Sequence, residues 1–359
     1  MSNNALVVRM VDGQPRLSKE SAAIPVPDSK QVLVKVSHIA QNPTDVQSFD
    51  GNAFGDGAIL GCDFAGEVVE TGSEATRLQK GDVIAGLVWG DEELIQLCLL
   101  LGEIKGLGAY SEYVLADDAI SFKVPKGISP AEASTVPLAL TTSWLALFSK
   151  GCLDIDRSNA GGVSILVWGG SSSVGLYAIQ LAALYGMNVI TTCSPRHEKL
   201  VRSYGANHVF DYRAEEEIVS KIKQAAPNIQ YTFDTIGNTS SSTIASLAMH
   251  GSGKLCTVRP GKANTDNVAS QIAVSDVLVW TAFLKDHRYG SFYWPASKED
   301  FGLSRELFDK LPGWLTAGTI KPNTAKVLGG LDDVPKGFDE HRAGNISGYK
   351  IVYELNTAV

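Results

Sequence analysis

The sequence predicts an α/β protein in which a doubly wound parallel sheet is joined to an antiparallel, barrel-like domain. Two observations carry this. From Ser164 to Val258, short apolar runs of strand length alternate with stretches of helical spacing, the pattern of a parallel sheet covered by helices. Before residue 125, short strand-like runs follow one another through glycine turns with no helical crossover, as in an antiparallel barrel.

The parallel sheet opens at Ser164–Gln180, SILVWGGSSSVGLYAIQ. Ile165–Trp168 is a buried-strand run, Gly169–Gly175 is a turn without bulky side chains, and Leu176–Leu184 has helical spacing. Strand, glycine turn and helix N-terminus form an anion site, because free N–H groups and the positive end of the helix dipole meet there. Gly170, Ser171, Ser172, Ser173 and Val174 are therefore candidates to hold a pyrophosphate. The full G-x-G-x-x-G spacing is missing, so a plain strand–helix turn stays open on this stretch alone.

A second strand, Asn188–Cys193, follows Tyr185-Gly186, which reads as a helix C-cap. Its end selects the ribose: an acid there binds the free 2′-hydroxyl of NAD, a basic or hydroxyl residue accommodates the 2′-phosphate of NADP. Here the chain reads Cys193-Ser194-Pro195-Arg196-His197, with no acid before Glu198. Ser194 can donate to a phosphate oxygen and Arg196 can form a charge-assisted fork. The alternative is a solvated surface arginine; the position of the turn favours NADPH.

Gly205–Tyr212 holds a helix end and a short third strand, Tyr231–Thr235 a fourth and Lys254–Val258 a fifth. Helices are expected over Glu215–Gln224 and Ser241–Met249. Ligands gather at the carboxyl ends of such strands, which nominates Asp234, Thr235, Val258 and Arg259. For Asp234, capping of the next turn or helix is an equal alternative.

In the N-terminal region, Gln31–Ile39 alternates as a half-buried strand, and Gly66–Glu70, Asp82–Leu87 and Tyr110–Leu115 are further short strands. Val124–Pro130 reads as the domain boundary. Helical stretches Ser304–Ala317 and Asp332–Ala343 and a last strand, Gly348–Leu355, are too little for a domain and are expected to return to the first. The expected domains are thus 1–127 with 296–359, and 128–295.

At 359 residues, 44% hydrophobic and 19% charged, the chain has the composition of an ordinary globular protein of two domains. A net charge of −8 without a basic stripe argues against nucleic acid or an anionic membrane as partner. No apolar run approaches the roughly 20 residues that span a bilayer, and MSNNALVVRM lacks the features of a signal peptide. A cytoplasmic protein is expected. The five scattered cysteines (Cys62, Cys98, Cys152, Cys193, Cys256) fit a reducing compartment and lack zinc-site spacing. Histidines 38, 197, 208, 250, 287 and 341 are isolated, so no metal is expected.

Several stretches together resemble the medium-chain dehydrogenase/reductase superfamily, in its zinc-free, quinone oxidoreductase-like branch. They are Asn42–Asp45, Gly61–Gly66, Lys80–Val83, Gly108–Tyr113, Pro137–Thr142, the Gly169–Gly175 turn and Ile346–Lys350. The resemblance spans essentially the whole chain and implies a Rossmann domain beside a GroES-like domain. Zinc-dependent relatives carry a histidine–glutamate pair where this chain has Cys62-Asp63. Thr192–Pro195, Val209–Arg213 and Trp294-Pro295 are similar to fungal trans-acting enoyl reductases of polyketide biosynthesis. This implies NADPH between the two domains. Its nicotinamide would lie beside Thr44, Asp45, Val46, Gln47 and Thr141, with Ser347, Gly348, Val258 and Arg259 as further contacts. Its phosphates would meet Ser171–Val174, its 2′-phosphate Ser194, Pro195, Arg196 and His197, and its adenine end Tyr212. Leu138, Leu140, Trp280 and Phe283 would line an apolar substrate site; the Val277–Phe283 run suits a greasy chain. The implied reaction is hydride transfer to the β-carbon of an α,β-unsaturated carbonyl. Its substrate would be a small enone or an acyl thioester, including one carried on a polyketide synthase.

Two departures from the family pattern stand out. Where several relatives place a tyrosine or lysine after the Asn-Pro motif, this chain reads Val46–Asp50. Gln47 can donate a hydrogen bond but is no useful acid, so solvent would supply the proton; Gln47 and Thr141 remain the catalytic candidates, a surface role for Gln47 being equally open. Asp91–Leu101 (DEELIQLCLLL) is an apolar insertion, read as a lid or docking flap, a loop insertion, or a gene-boundary artefact. Beside enoyl reduction, a quinone or small-enone reductase and a non-enzymatic NADPH-binding structural protein are the alternatives.

Overall fold

The computed structural model describes residues 2–88, 108–289 and 292–355; the Asp91–Leu101 insertion and Cys98 lie outside them. In chain order the elements open with β1 (Asn3–Val11), β2 (Gln14–Ala22), β3 (Gln31–Ala40), α1 (Pro43–Asp50), β4 (Asp63–Thr71) and β5 (Val83–Leu87). Then come β6 (Tyr113–Asp117), β7 (Ser121–Lys123), α2 (Pro130–Ser134), α3 (Pro137–Phe148), β8 (Ser164–Trp168), α4 (Ser173–Leu184), β9 (Asn188–Thr192), α5 (Glu198–Ser203) and β10 (His208–Phe210). α6 (Glu215–Ala225), β11 (Tyr231–Asp234), α7 (Thr239–Leu247), β12 (Gly253–Thr257) and β13 (Ile272–Asp276) follow. Beyond a short ribbon of His287–Tyr289 with Phe292–Trp294 come α8 (Lys298–Thr316), β14 (Ala325–Leu328), α9 (Val334–Arg342) and β15 (Lys350–Glu354).

Contacts divide the chain into two units. The first is Met1–Leu138, His287–Tyr293 and Phe308–Val359; the second is Ala139–Asp286 and Trp294–Leu307. This differs from the expected division in three places, one of which is that residues 287–293 group with the first unit. Residues 128–138 group with the first unit, because α2 packs on β3, β4 and β5. Residues 296–307 group with the second, because the start of α8 is tied there. Trp144 Nε1 donates to Leu303 O at 2.8 Å, Ser149 Oγ to Asp300 at 2.7 Å, and Arg157 pairs with Glu306 at 2.7 Å.

The first unit is built on a sheet of order β14-β15-β3-β4-β5-β7, with β6 also on β3. All its pairs are antiparallel except β14 with β15. Val32, Val34 and Val36 on one side of β3 sink into a core with Phe64, Val68, Ile84, Tyr110 and Phe338, as period-2 alternation requires. The β1–β2 hairpin, paired along its full length from Asn3↔Ala22 to Val11↔Gln14, was not anticipated. The expected strand at Tyr110–Leu115 lies three residues later, with Tyr110 itself buried.

The second unit is a six-stranded, fully parallel sheet of order β10-β9-β8-β11-β12-β13. Leu166, Ile190 and Leu255 pack one sheet face against Ile218 and Ile222 of α6 and Ala245 of α7. The order reverses next to β8, the switch point where open α/β sheets bind ligands. Two elements were missed by sequence. β13 is an edge strand of mixed burial without a clean alternation. α3 is buried around nearly its whole circumference, so it lacks the polar stripe that reveals an amphipathic helix.

Candidate nucleotide-binding site

The turn after β8 is shaped by three glycines that tolerate no side chain. Gly169 has a φ of +84°, a region glycine enters without steric cost. A Cβ on Gly170 would lie 2.0 Å from Thr191 Oγ1, and one on Gly175 2.3 Å from Gly169 O. Gly169 N donates to Thr192 Oγ1 at 3.0 Å and Gly170 N to Thr192 O at 2.8 Å, which welds the turn to β9. Ser172 is the N-cap of α4: its hydroxyl accepts from Gly175 N at 2.9 Å and pairs with Thr235 Oγ1 at 2.8 Å. Thr235 Oγ1 in turn donates toward Trp168 O and Gly169 O at 2.8 and 3.0 Å. Ser172 and Thr235 therefore brace the loop. The anion-binding capacity rests on the first N–H groups of α4, which a helix leaves without internal partners, and on Ser171, half-exposed at the turn.

One strand further along, Ser194, Pro195, Arg196, Tyr212 and Arg213 line an open pocket of about 360 Å³. Pro195–His197 forms a short 3₁₀ turn, and the Ser194 hydroxyl before it makes no capping bond. Arg196 Nε donates to Nε2 of His197 at 3.1 Å, which requires that nitrogen to be unprotonated. Burial, then the Arg196 charge, holds the His197 pKa below its ordinary value, consistent with a neutral ring. No carboxylate is among the described residues that line the pocket; Glu198 pairs with Arg202 at 2.9 Å and Asp211 with Arg213 at 2.7 Å. A rim of hydroxyls and guanidinium donors fits a phosphate and, among the described residues, includes no carboxylate to accept from a ribose diol. Arg213 was not among the sequence candidates. Its signal is a basic residue following Tyr212, which an exposed turn does not distinguish from a solvated charge.

At the end of β11 the structure decides between the two readings of Asp234. The side chain is fully buried and acts as a cap. Oδ1 accepts from Ile236 N and Gly237 N, both at 3.0 Å, and Oδ2 from Ser241 Oγ at 2.7 Å and Ser242 Oγ at 2.8 Å. Its capacity is spent within the chain. Arg259 likewise donates through Nε to Gly237 O at 3.1 Å. Val258, half-buried, follows β12 with its N–H on Asp234 O at 3.2 Å.

In the first unit, α1 begins with a capping box. Asn42 is the N-cap, Pro43 occupies the first turn, and Asp45 Oδ2 accepts from Asn42 N at 2.7 Å. Asp45 also receives Tyr110 OH at 3.2 Å and Cys62 Sγ at 3.3 Å. Burial raises its pKa from 3.8 to about 6, and burial followed by the Asp45 charge pushes the Cys62 thiol well up. The neighbouring Asp63, fully buried, accepts from Leu138 N at 2.7 Å and Asn42 Nδ2 at 2.9 Å and forms an ion pair with buried Lys350. Gln41 and Tyr353 add another buried hydrogen bond.

Asp45 and Val46, both expected beside the nicotinamide, are buried. The Asp45 carboxylate is committed inside the unit, and Val46 belongs to the hydrophobic core; their neighbours Thr44, half-exposed, and Gln47, exposed, face outward from α1. The Asp63–Lys350 pair was missed because its members stand 287 residues apart. Ser347 and Gly348 precede β15 half-buried, and Gly348 has a φ of +75°. Leu138, at the end of the first unit, is buried.

In the second unit, α3 carries Leu140 and Thr141, both fully buried. Leu140, expected to line an apolar substrate site, is buried, as are Leu138, Trp280 and Phe283. The Thr141 hydroxyl has no hydrogen-bond partner among the described residues, an arrangement that costs free energy unless a ligand or water satisfies it. Trp280 and Phe283 are buried in and beside the 3₁₀ turn Val279–Ala282. Among the described residues, no His, Cys, Asp and Glu side chains group as a metal set, and no helix is long and apolar enough to cross a membrane.

The chain matches the family description "Alcohol dehydrogenase GroES-like domain" over residues 28–126 and "Zinc-binding dehydrogenase" over residues 173–291. It is 33% identical over 354 residues to the trans-enoyl reductase eqxC of Fusarium heterosporum, covering 96% of each chain. The chain belongs to the trans-enoyl reductase family of medium-chain dehydrogenase/reductases. A second trans-enoyl reductase, grgB of Penicillium sp, is 29% identical over 340 residues, covering 94% of each chain. In fold, it is similar to an alcohol dehydrogenase superfamily protein of Novosphingobium aromaticivorans (TM-score 0.76, 23% identity, 99% of this chain and 100% of that one). A trans-enoyl reductase of this architecture joins a GroES-like domain to a Rossmann-like parallel sheet.

Proposed function

We propose that this trans-enoyl reductase is an NADPH-dependent, zinc-independent, cytoplasmic enzyme that saturates the carbon–carbon double bond of a conjugated enoyl substrate, with polyketide synthase-bound acyl thioesters among its substrates. The observation that carries the cofactor reading is the pocket at the ends of β9 and β10, rimmed by Ser194, Arg196 and Tyr212 with no carboxylate among its described lining residues. The names of the relatives support the reaction.

NADPH supplies the hydride when bound. The chain's own residues bind and orient. Ser194 and Arg196 hold the 2′-phosphate; Tyr212 borders the adenine end. The glycine turn and the N–H groups of α4 receive the pyrophosphate, and the unpartnered Thr141 hydroxyl positions the reacting end. Gln47 and Thr44, the outward residues of α1, serve as positioning contacts. Catalysis then comes from orientation and from stabilising charge developing on the substrate carbonyl. The proton at the α-carbon comes from solvent: a glutamine amide is no acid, and Asp45, the carboxyl group of α1's first turn, is tied to Asn42, Tyr110 and Cys62. Zinc independence is supported by the bonds of Cys62 to Asp45 and of Asp63 to Lys350.

The test is the fate of label from NADPH deuterated at the 4-position, supplied with an enone or enoyl thioester. Deuterium at the β-carbon of a saturated product, with a solvent-derived α-proton, is the expected result. An allylic alcohol would overturn the reading.

A further inference from the structure

The nucleotide pocket contains one charged residue that the proposed function leaves without a task. Arg213 lines it together with Ser194 and Arg196. Its guanidinium is held from one side. Nε donates to Asp211 Oδ1 at 2.9 Å and Nη2 to Oδ2 at 2.7 Å, and Asp211 Oδ1 also takes the Arg213 N–H at 3.1 Å. A guanidinium offers donors along more than one edge. With Nε and Nη2 occupied, Nη1 has no hydrogen-bond partner among the described residues. A plain surface ion pair two residues apart would need no explanation, but this one borders a pocket with no carboxylate among its described lining residues.

We infer that Arg213 is a second guanidinium of the 2′-phosphate subsite and a specificity-determining residue for NADPH, and that Asp211 is its positioning residue. The inference rests on the NADPH reading above. Fork contacts to phosphate come most readily from arginine, whose planar donors match the oxygens. Holding that fork in advance lowers the ordering cost of binding. Asp211 also offsets part of the Arg213 charge, so Arg213 contributes less than Arg196, which stands beside a neutral imidazole.

Binding of adenosine 2′,5′-bisphosphate and adenosine 5′-phosphate, titrated calorimetrically against wild type, Arg196→Ala, Arg213→Gln and Arg213→Lys, tests this without turnover. Wild type should bind the bisphosphate more tightly. Arg213→Gln should weaken the bisphosphate about threefold to tenfold, the size of an exposed, partly compensated charged contact, and change the monophosphate less than about twofold. Arg213→Lys should fall between wild type and Arg213→Gln, because it keeps the charge but loses the planar fork. If Arg213→Gln leaves the bisphosphate affinity unchanged while Arg196→Ala reduces it, the role of Arg213 is overturned and the NADPH reading stands. If wild type does not discriminate between the two nucleotides, the NADPH reading fails and this inference with it.

Discussion

The two units use charge in opposite ways. Around β4 and α1, Asp45, Asp63, Cys62, Tyr110 and Lys350 are buried and satisfy one another. At the ends of β9 and β10, Ser194, Arg196 and Arg213 stand at an open rim with donor capacity left over. A buried charge must be paired within the protein, because desolvation otherwise exceeds any gain. A charge at a rim stays hydrated, so it keeps its capacity for a ligand at little cost to stability. The difference separates groups that hold the fold from groups proposed to select the nucleotide, although both contain arginine or lysine beside aspartate.

The sharpest break of this comparison is Lys350→Met. It strands the Asp63 carboxylate in the interior and should lower the unfolding free energy by about 3–5 kcal/mol in denaturant titration. Adding Asp63→Asn should recover part of that loss by removing the orphaned charge. A single variant as stable as wild type would show that the pair is not a structural clamp. A smaller effect is expected from Asp45. Burial raises its pKa from 3.8 to about 6, so the folded protein binds this proton more tightly than the unfolded chain. The stabilisation is complete below the unfolded value and fades as pH rises through about 6. The stability of wild type relative to Asp45→Asn should therefore fall by about 1–3 kcal/mol between pH 4 and pH 7. A difference that grows with pH would contradict the assignment.

Sequence made the second unit legible where its signals are local. Strand, glycine turn and helix lie within Ser164–Gln180, and Ser194 and Arg196 follow the next strand directly. The first unit's polar cluster was hidden because sheet pairing brings its members together from distant segments. Nothing near Asp63 announces Lys350, which arrives on β15 through pairing with β3. Asp234 was ambiguous for a different reason: the end of a parallel strand is both where ligands bind and where loops need caps, and only its four internal donors decide the matter. α3 was invisible to periodicity because nearly every side of it is buried.

The most direct test of the account is the ratio of NADH to NADPH dissociation constants for wild type and Arg196→Ala, measured by equilibrium fluorescence titration. Wild type should favour NADPH strongly. Arg196→Ala should weaken NADPH by about 1.5–3 kcal/mol, the range for a hydrogen bond to a charged group, and leave NADH nearly unchanged. Equal affinities of the wild type for the two nucleotides would contradict a pocket poised for the 2′-phosphate.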